Sequence, residues 1–287
     1  MPQLPNIPTG RTRLAPTPSG YLHVGNAFNF LLTERLARSS GSRLLLRIDD
    51  LDQERVRPEY IEDIFRSLEW LGITWDEGPS GPDDFQRNWS QRLRLEKYRA
   101  LAARLRSAGH TYACVCSRAQ LEALRSTGEE HACRNGPVVM GRVASVRLRI
   151  PDPCPVRIME LSGAQTVDLH HEMPDPVMEQ RGTGRPAYQL TSLCDDVAYG
   201  VTFLVRGRDL WPSTVCQIHV AQCLGLRSFT AIRTLHHPLV MDAEGTKLSK
   251  STGVTSLVTL RGSGFGPDGL RRSVDRFIET GVLEVSP

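Results

Sequence analysis

Residues 11–26 read Arg11-Thr12-Arg13-Leu14-Ala15-Pro16-Thr17-Pro18-Ser19-Gly20-Tyr21-Leu22-His23-Val24-Gly25-Asn26. Thr12 to Ala15 predicts a short strand, Pro16 to Gly20 a loop, and the apolar spacing from about Val24 to Ala37 a helix. A strand-loop-helix unit offers free backbone N–H groups and the positive end of a helix dipole, where a nucleotide phosphate binds well. His23 and Asn26 add donors on the first turn, and Gly25 has no side chain, so an adenine can lie against the backbone. Taken alone, His23 reads better as a helix-capping residue in an ordinary loop, because single motifs have a high false-positive rate.

The same alternation continues outward. Arg43 to Ile48 reads as a buried strand ending in Asp49-Asp50-Leu51-Asp52, and the helix after Pro58 sets Ile61, Ile64, Phe65, Leu68 and Leu71 on one face. A further helix spans Gln91 to Ala108. Strands alternating with helices predict an α/β, Rossmann-like, mostly parallel sheet covered on both faces. Between Tyr112 and Pro186 cysteines, short strands such as Ser145 to Ile150 and Pro-rich joints replace that rhythm. The expected organisation is a first catalytic half over 11–111, an inserted subdomain over 112–186, a second half over 187–253 and a small helical appendage over 254–287. In the second half, Val201 to Val205 reads as a strand, Trp211 to Leu224 as a helix and Pro238 to Met241 as a strand.

A chain of 287 residues with 40% hydrophobic and 23% charged content can bury a sizeable core. No apolar run approaches the roughly 20 residues that span a bilayer, and the start lacks a signal-type segment, so a cytoplasmic chain without a membrane partner is expected. The net charge of +3 permits contact with a polyanion without demanding one. Seven cysteines, clustered at Cys114, Cys116 and Cys133 and otherwise scattered, suit reduced thiols and one metal site better than a disulfide framework. His170-His171, His236-His237 and the four tryptophans read as structural.

Of 35 basic residues only Lys97, Lys247 and Lys250 are lysine, and two fall within Lys247-Leu248-Ser249-Lys250-Ser251. That clustering points to a need for compact ammonium donors. In a small, polar loop such lysines would close over a triphosphate and stabilise the charge that develops as pyrophosphate leaves.

His23-Val24-Gly25-Asn26 and Lys247 to Ser251, in this order, resemble the two signature sequences of class I aminoacyl-tRNA synthetases. More narrowly, the stretches Arg13 to Gly20, Arg47 to Asp52, Tyr188-Gln189-Leu190 with Cys194-Asp195-Asp196, and Val205 to Leu210 resemble glutamyl-tRNA synthetases, from about Arg11 to Gly253. The resemblance implies glutamate binding by Arg13, Ala15, Thr17, Asp49, Tyr188 and Arg206. It implies ATP binding by Pro16, Ser19, His23, Gly25, Asn26, Lys247, Ser249 and Lys250, with His23, Asn26, Lys247 and Lys250 catalytic. Arg206 would grip the side-chain carboxylate, Asp49 the α-ammonium, and Tyr188 would supply a hydroxyl and an aromatic wall. Bacterial relatives usually place a glutamate where Asp49 stands. Surface ion pairing is expected for Asp50 and Asp52.

The implied reaction converts glutamate and ATP, with Mg²⁺ on the phosphates, to glutamyl-AMP and pyrophosphate. Three thiols at Cys114, Cys116 and Cys133 suit a structural, tetrahedral Zn²⁺, which needs a fourth ligand. The resemblance implies a tyrosine four residues before the last cysteine. That position is Glu129, leaving Glu129 or His131 to close the shell. The 36 residues after Ser251 are too few for the helical region that reads an anticodon. Cores of this kind resemble the glutamyl-queuosine tRNA(Asp) synthetase branch, which implies transfer to the queuosine base of tRNA(Asp) by a monomer. Transfer to a non-tRNA acceptor, or a non-catalytic nucleotide- or tRNA-binding role, are the alternatives.

Overall fold

The computed structural model describes Ile7 and residues 9–129, 131–136, 143–240 and 256–283. The first half comprises β1 (Arg11–Leu14), α1 (Val24–Ser39), β2 (Arg43–Leu46), α2 (Pro58–Trp70) and α3 (Leu95–Ser107). There follow β3 (Thr111–Cys114), α4 (Arg118–Thr127), β4 (Ser145–Leu148), β5 (Pro155–Glu160), β6 (Gly163–Asp168) and β7 (Val177–Glu179). The second half contains α5 (Tyr188–Ala198), β8 (Phe203–Gly207), α6 (Trp211–Cys223) and β9 (Arg233–His237), and the chain closes with α7 (Leu257–Gly262) and α8 (Asp268–Thr280).

Parallel pairing joins β1 to β2, β8 to β9 and β9 to β5, while β6 adds antiparallel to β5. Thr202 N–H donates to Arg11 O at 2.8 Å and Arg11 N–H to Thr202 Oγ1 at 2.9 Å, which brings β1 beside β8. The strands therefore run β2-β1-β8-β9-β5-β6 across the molecule. β1, β2 and β8 are almost wholly buried, as near-continuous apolar strands covered on both faces should be. One apolar cluster gathers α1, α2 and the start of the sheet, and α8 closes it through Phe277, whose ring lies 5.5 Å from Phe28. A second cluster lies under α5 and α6.

Several expectations shift. The strand expected over Pro238 to Met241 lies earlier, at Arg233–His237, because Pro238 has no N–H to continue the ladder; Met241 lies outside the described residues. The β5–β6 hairpin falls within residues 112–186 yet extends the main sheet, leaving β3, β4 and β7 as a separate antiparallel sheet. Asp50 is not on the surface: it is 3% exposed and accepts from Ser90 Oγ at 2.6 Å and Gln91 N–H at 2.7 Å. Asp52 does pair at the surface, with Arg185 at 2.8 Å. Arg47 is buried as well.

Candidate active site

The carboxyl ends of β1, β8 and β9 and the start of α1 enclose a cavity of about 540 Å³. Ligands of open α/β sheets bind at such strand ends. Arg13, Ala15 and Thr17 line it from β1 and its loop, together with Pro16. His23, Gly25 and Asn26 line it from α1, and Tyr188 and Arg206 from the second half. Ser19 and Asp49 are not among the lining residues. Lys247, Ser249 and Lys250 lie outside the described residues.

The α1 start reconciles two readings of His23. Its ring caps the helix, with Nδ1 accepting from Gly25 N–H at 3.1 Å, while His23 N–H donates to Asn26 Oδ1 at 3.1 Å. Because Nδ1 accepts, the neutral ring carries its proton on Nε2, so capping and hydrogen-bond donation use different nitrogens. A Cβ on Gly25 would lie 3.0 Å from His23 Cε1, so glycine is what lets the ring fold back over the helix.

Behind the cavity sits a buried ionic cluster. Asp196, on α5, takes Arg13 Nε at 3.0 Å and Arg47 Nη1 at 2.6 Å, with Arg206 Nη2 at 3.6 Å. These three guanidiniums hold the Asp196 carboxyl below its ordinary value, although burial alone would raise it. Arg47 also clamps Asp49, Nε to Oδ1 at 2.7 Å and Nη2 to Oδ2 at 3.0 Å. Burial pushes Asp49 upward against that pull. With Asp49 and Asp196 facing Arg13, Arg47 and Arg206, one positive charge is in excess, beside the cavity. Arg206 Nη1 is fixed by Thr214 Oγ1 at 2.9 Å and Gln217 Oε1 at 2.8 Å, and its buried Nε has no hydrogen-bond partner among the described residues. The geometry suits recognition of an anion.

Several residues of this site lie outside the set expected from the sequence. Asn29 and His237 both line the cavity and meet at 3.1 Å, and His237 Nδ1 donates to Pro238 O at 2.7 Å. Gln91 reaches Asp49 at 3.3 Å and Asp195 at 3.0 Å, and Arg94 and Tyr98 secure Asp195. Asn29 stands one turn after Asn26 and was detectable by helical spacing; buried His237, read together with His236 as structural, was not.

At the base of the small sheet, ligand atoms of Cys114, Cys116, His131 and Cys133 lie within 4.8 Å of one another. Glu129 is exposed and stands outside this group, whose fourth member is His131. Burial and the Cys133 contact push Cys116 up to about 11. Cys133 is held below its ordinary value although burial opposes this, because the Val115 backbone and the Cys116 and Cys114 thiols hydrogen-bond its sulphur. Three sulphurs and one imidazole match the donor set of a tetrahedral zinc site.

The chain belongs to the family described as tRNA synthetases class I (E and Q), catalytic domain, which it matches over residues 10–280. It is 36% identical over 280 residues to the glutamate–tRNA ligase of Thermosynechococcus vestitus, a match covering 90% of this chain and 55% of that protein. It is 37% identical over 281 residues to the glutamyl-Q tRNA(Asp) synthetase of Symbiobacterium thermophilum, covering 89% of this chain and 82% of that protein. A crystal structure of glutamate–tRNA synthetase from Elizabethkingia anophelis superposes with a TM-score of 0.69 at 24% identity, over 85% of this chain and 53% of that one. The chain thus spans about half the length of the glutamate–tRNA ligases of Thermosynechococcus vestitus, Halorhodospira halophila and Acidithiobacillus ferrooxidans that it matches. Among the described residues, no helix is long and apolar enough to cross a membrane.

Proposed function

We propose that the chain condenses L-glutamate with ATP to glutamyl-adenylate and passes the glutamyl group to queuosine in the anticodon of tRNA(Asp). The observation that carries this reading is the placement of Arg13 and Arg206, both buried, in one cavity with the capped start of α1. An amino acid with two carboxylates needs cationic forks, and a nucleotide needs helix N–H groups.

In this mechanism Arg206 grips the side-chain carboxylate. Arg13 draws the amino acid against β1, and Tyr188 walls the pocket. The α-carboxylate then attacks the α-phosphate of ATP, which enters as its magnesium complex, and the bond to the pyrophosphate oxygen breaks in line. His23 Nε2–H and the Asn26 amide donate to the phosphates, and Lys247 and Lys250 neutralise the leaving pyrophosphate. Little covalent chemistry falls to the protein, so positioning and electrostatics supply the rate. Asp49, although clamped by Arg47 through both carboxylate oxygens, keeps further lone pairs with which it would take the α-ammonium.

The queuosine acceptor is supported by the similarity to the Symbiobacterium protein over 82% of that protein's length. The test incubates the chain, ATP and labelled glutamate with tRNA from cells with and without queuosine. ATP–pyrophosphate exchange dependent on glutamate and free of tRNA, with label on queuosine-containing tRNA only, is expected. Exchange that requires tRNA, or label at a tRNA 3′ end, would instead favour an ordinary glutamate–tRNA ligase. Label on an amine or peptide would overturn the tRNA acceptor.

A further inference from the structure

Tyr112 Oη lies 2.7 Å from Asp175 Oδ2 and 3.1 Å from His131 Nδ1, so one hydroxyl joins a carboxylate to an imidazole. Asp175 is buried, its Oδ1 accepts from Ile150 N–H at 2.9 Å, and Arg134 stands 3.3 Å from Oδ2. An ionised carboxylate only accepts hydrogen bonds, so the single phenol proton goes to Asp175. The Tyr112 oxygen is then an acceptor towards His131, and the His131 ring must carry its proton on Nδ1. Its other nitrogen, Nε2, is left with a lone pair, 3.4 Å from Cys114 Sγ and facing the thiol group. A tetrahedral ion requires that tautomer, and a partner on the remote nitrogen is the usual means of fixing it.

The carboxylate is itself built into place. Asp175 sits between Pro174 and Pro176 with φ of 44°, a left-handed conformation uncommon outside glycine. Arg147 Nη1 donates to its carbonyl at 2.9 Å, and Leu148 N–H to Pro176 O at 2.9 Å, which secures the turn to β4. We infer that Asp175 and Tyr112 are positioning residues that lock His131 as the fourth ligand of a Cys3His zinc site. They hold the ring so that Nε2 completes the set offered by Cys114, Cys116 and Cys133.

The inference stands apart from the acceptor and the adenylation chemistry, because its readout is metal affinity. Zn²⁺ is titrated against a chromophoric chelator on the full chain, with Co²⁺ absorption reporting thiolate and imidazole ligation. Wild-type chain binds one ion, and Tyr112→Phe and Asp175→Asn each bind it about 10–100-fold more weakly. Glu129→Gln leaves the affinity unchanged. Nitrogen-15 shifts of His131 in the zinc-free wild type show the proton on Nδ1, and Asp175→Asn moves it towards Nε2. A wild-type chain that binds no zinc, a ring protonated on Nε2, or wild-type affinity in Tyr112→Phe overturns the inference. Should Tyr112→Phe fail to fold, the imidazole shifts of the unaltered chain decide it.

Discussion

Arg47 holds both carboxylate oxygens of Asp49, at 2.7 and 3.0 Å, and neither residue is exposed by more than a tenth. The two sit at positions i and i+2 of an extended segment, which places their side chains on one face. Replacing Arg47 by Met strands Asp49 and removes one of the three cations around Asp196. Breaking a buried pair from one side costs about 3–5 kcal/mol. The urea midpoint of Arg47→Met should fall accordingly, with little change in slope. A loss under about 1 kcal/mol would mean that the pair is solvated.

Gly25→Ala separates cap geometry from helix propensity. The new methyl would stand 3.0 Å from His23 Cε1 and 3.1 Å from Nδ1, so the ring must rotate and release Gly25 N–H. Loss of a cap costs about 1 kcal/mol. Alanine in place of glycine inside a helix returns about the same. The melting temperature should therefore move little, while KM for ATP in pyrophosphate exchange rises as His23 leaves the cavity.

The first strand, the loop and α1 were legible because their signals are local: Pro16, Pro18 and Gly20 punctuate, and the apolar period sets the helix. Asp50 was misread because its partners, Ser90 and Gln91, stand 40 and 41 residues away, and an acidic run gives no hint of burial. The β5–β6 hairpin was read into the insert because Pro151, Pro153 and Pro155 look like joints, whereas Pro155 merely starts β5. Arg13, Tyr188 and Arg206 were assigned to one pocket through resemblance, and the fold does bring them to one cavity. Three-dimensional register was needed to see that Asp196 organises the arginines from behind.

Three histidines give the stability a definite pH sign. Burial lowers His219, His236 and His237 below the ordinary imidazole value, for His236 against the pull of Glu160. Each is neutral when folded, and the unfolded chain binds more protons just below about pH 6.5. Stability is thus full above that pH and falls as pH drops towards the folded values. The urea midpoint should be lower at pH 5.5 than at pH 7.5. Asp196 acts further down the scale: its folded value is depressed, so its contribution is lost only below the ordinary carboxylate range. An unchanged midpoint at pH 5.5, with these rings titrating near pH 6.5, would show them to be solvated.

Arg206→Gln tests the excess charge directly. The substitution keeps a polar side chain near Thr214 and Gln217 and leaves Asp196 paired with Arg13 and Arg47, so the fold should survive. What is lost is the guanidinium facing the cavity, whose Nε has no hydrogen-bond partner among the described residues. Hydrogen bonds to charged groups contribute about 1.5–3 kcal/mol each, so a bidentate grip on a carboxylate should cost roughly 100-fold or more in kcat/KM for glutamate. The effect should fall on the KM for glutamate, with the KM for ATP unchanged and discrimination against glutamine reduced, since no buried cation then opposes a neutral amide. A rise in the KM for ATP with that for glutamate unmoved would place the nucleotide, not the amino acid, at Arg206.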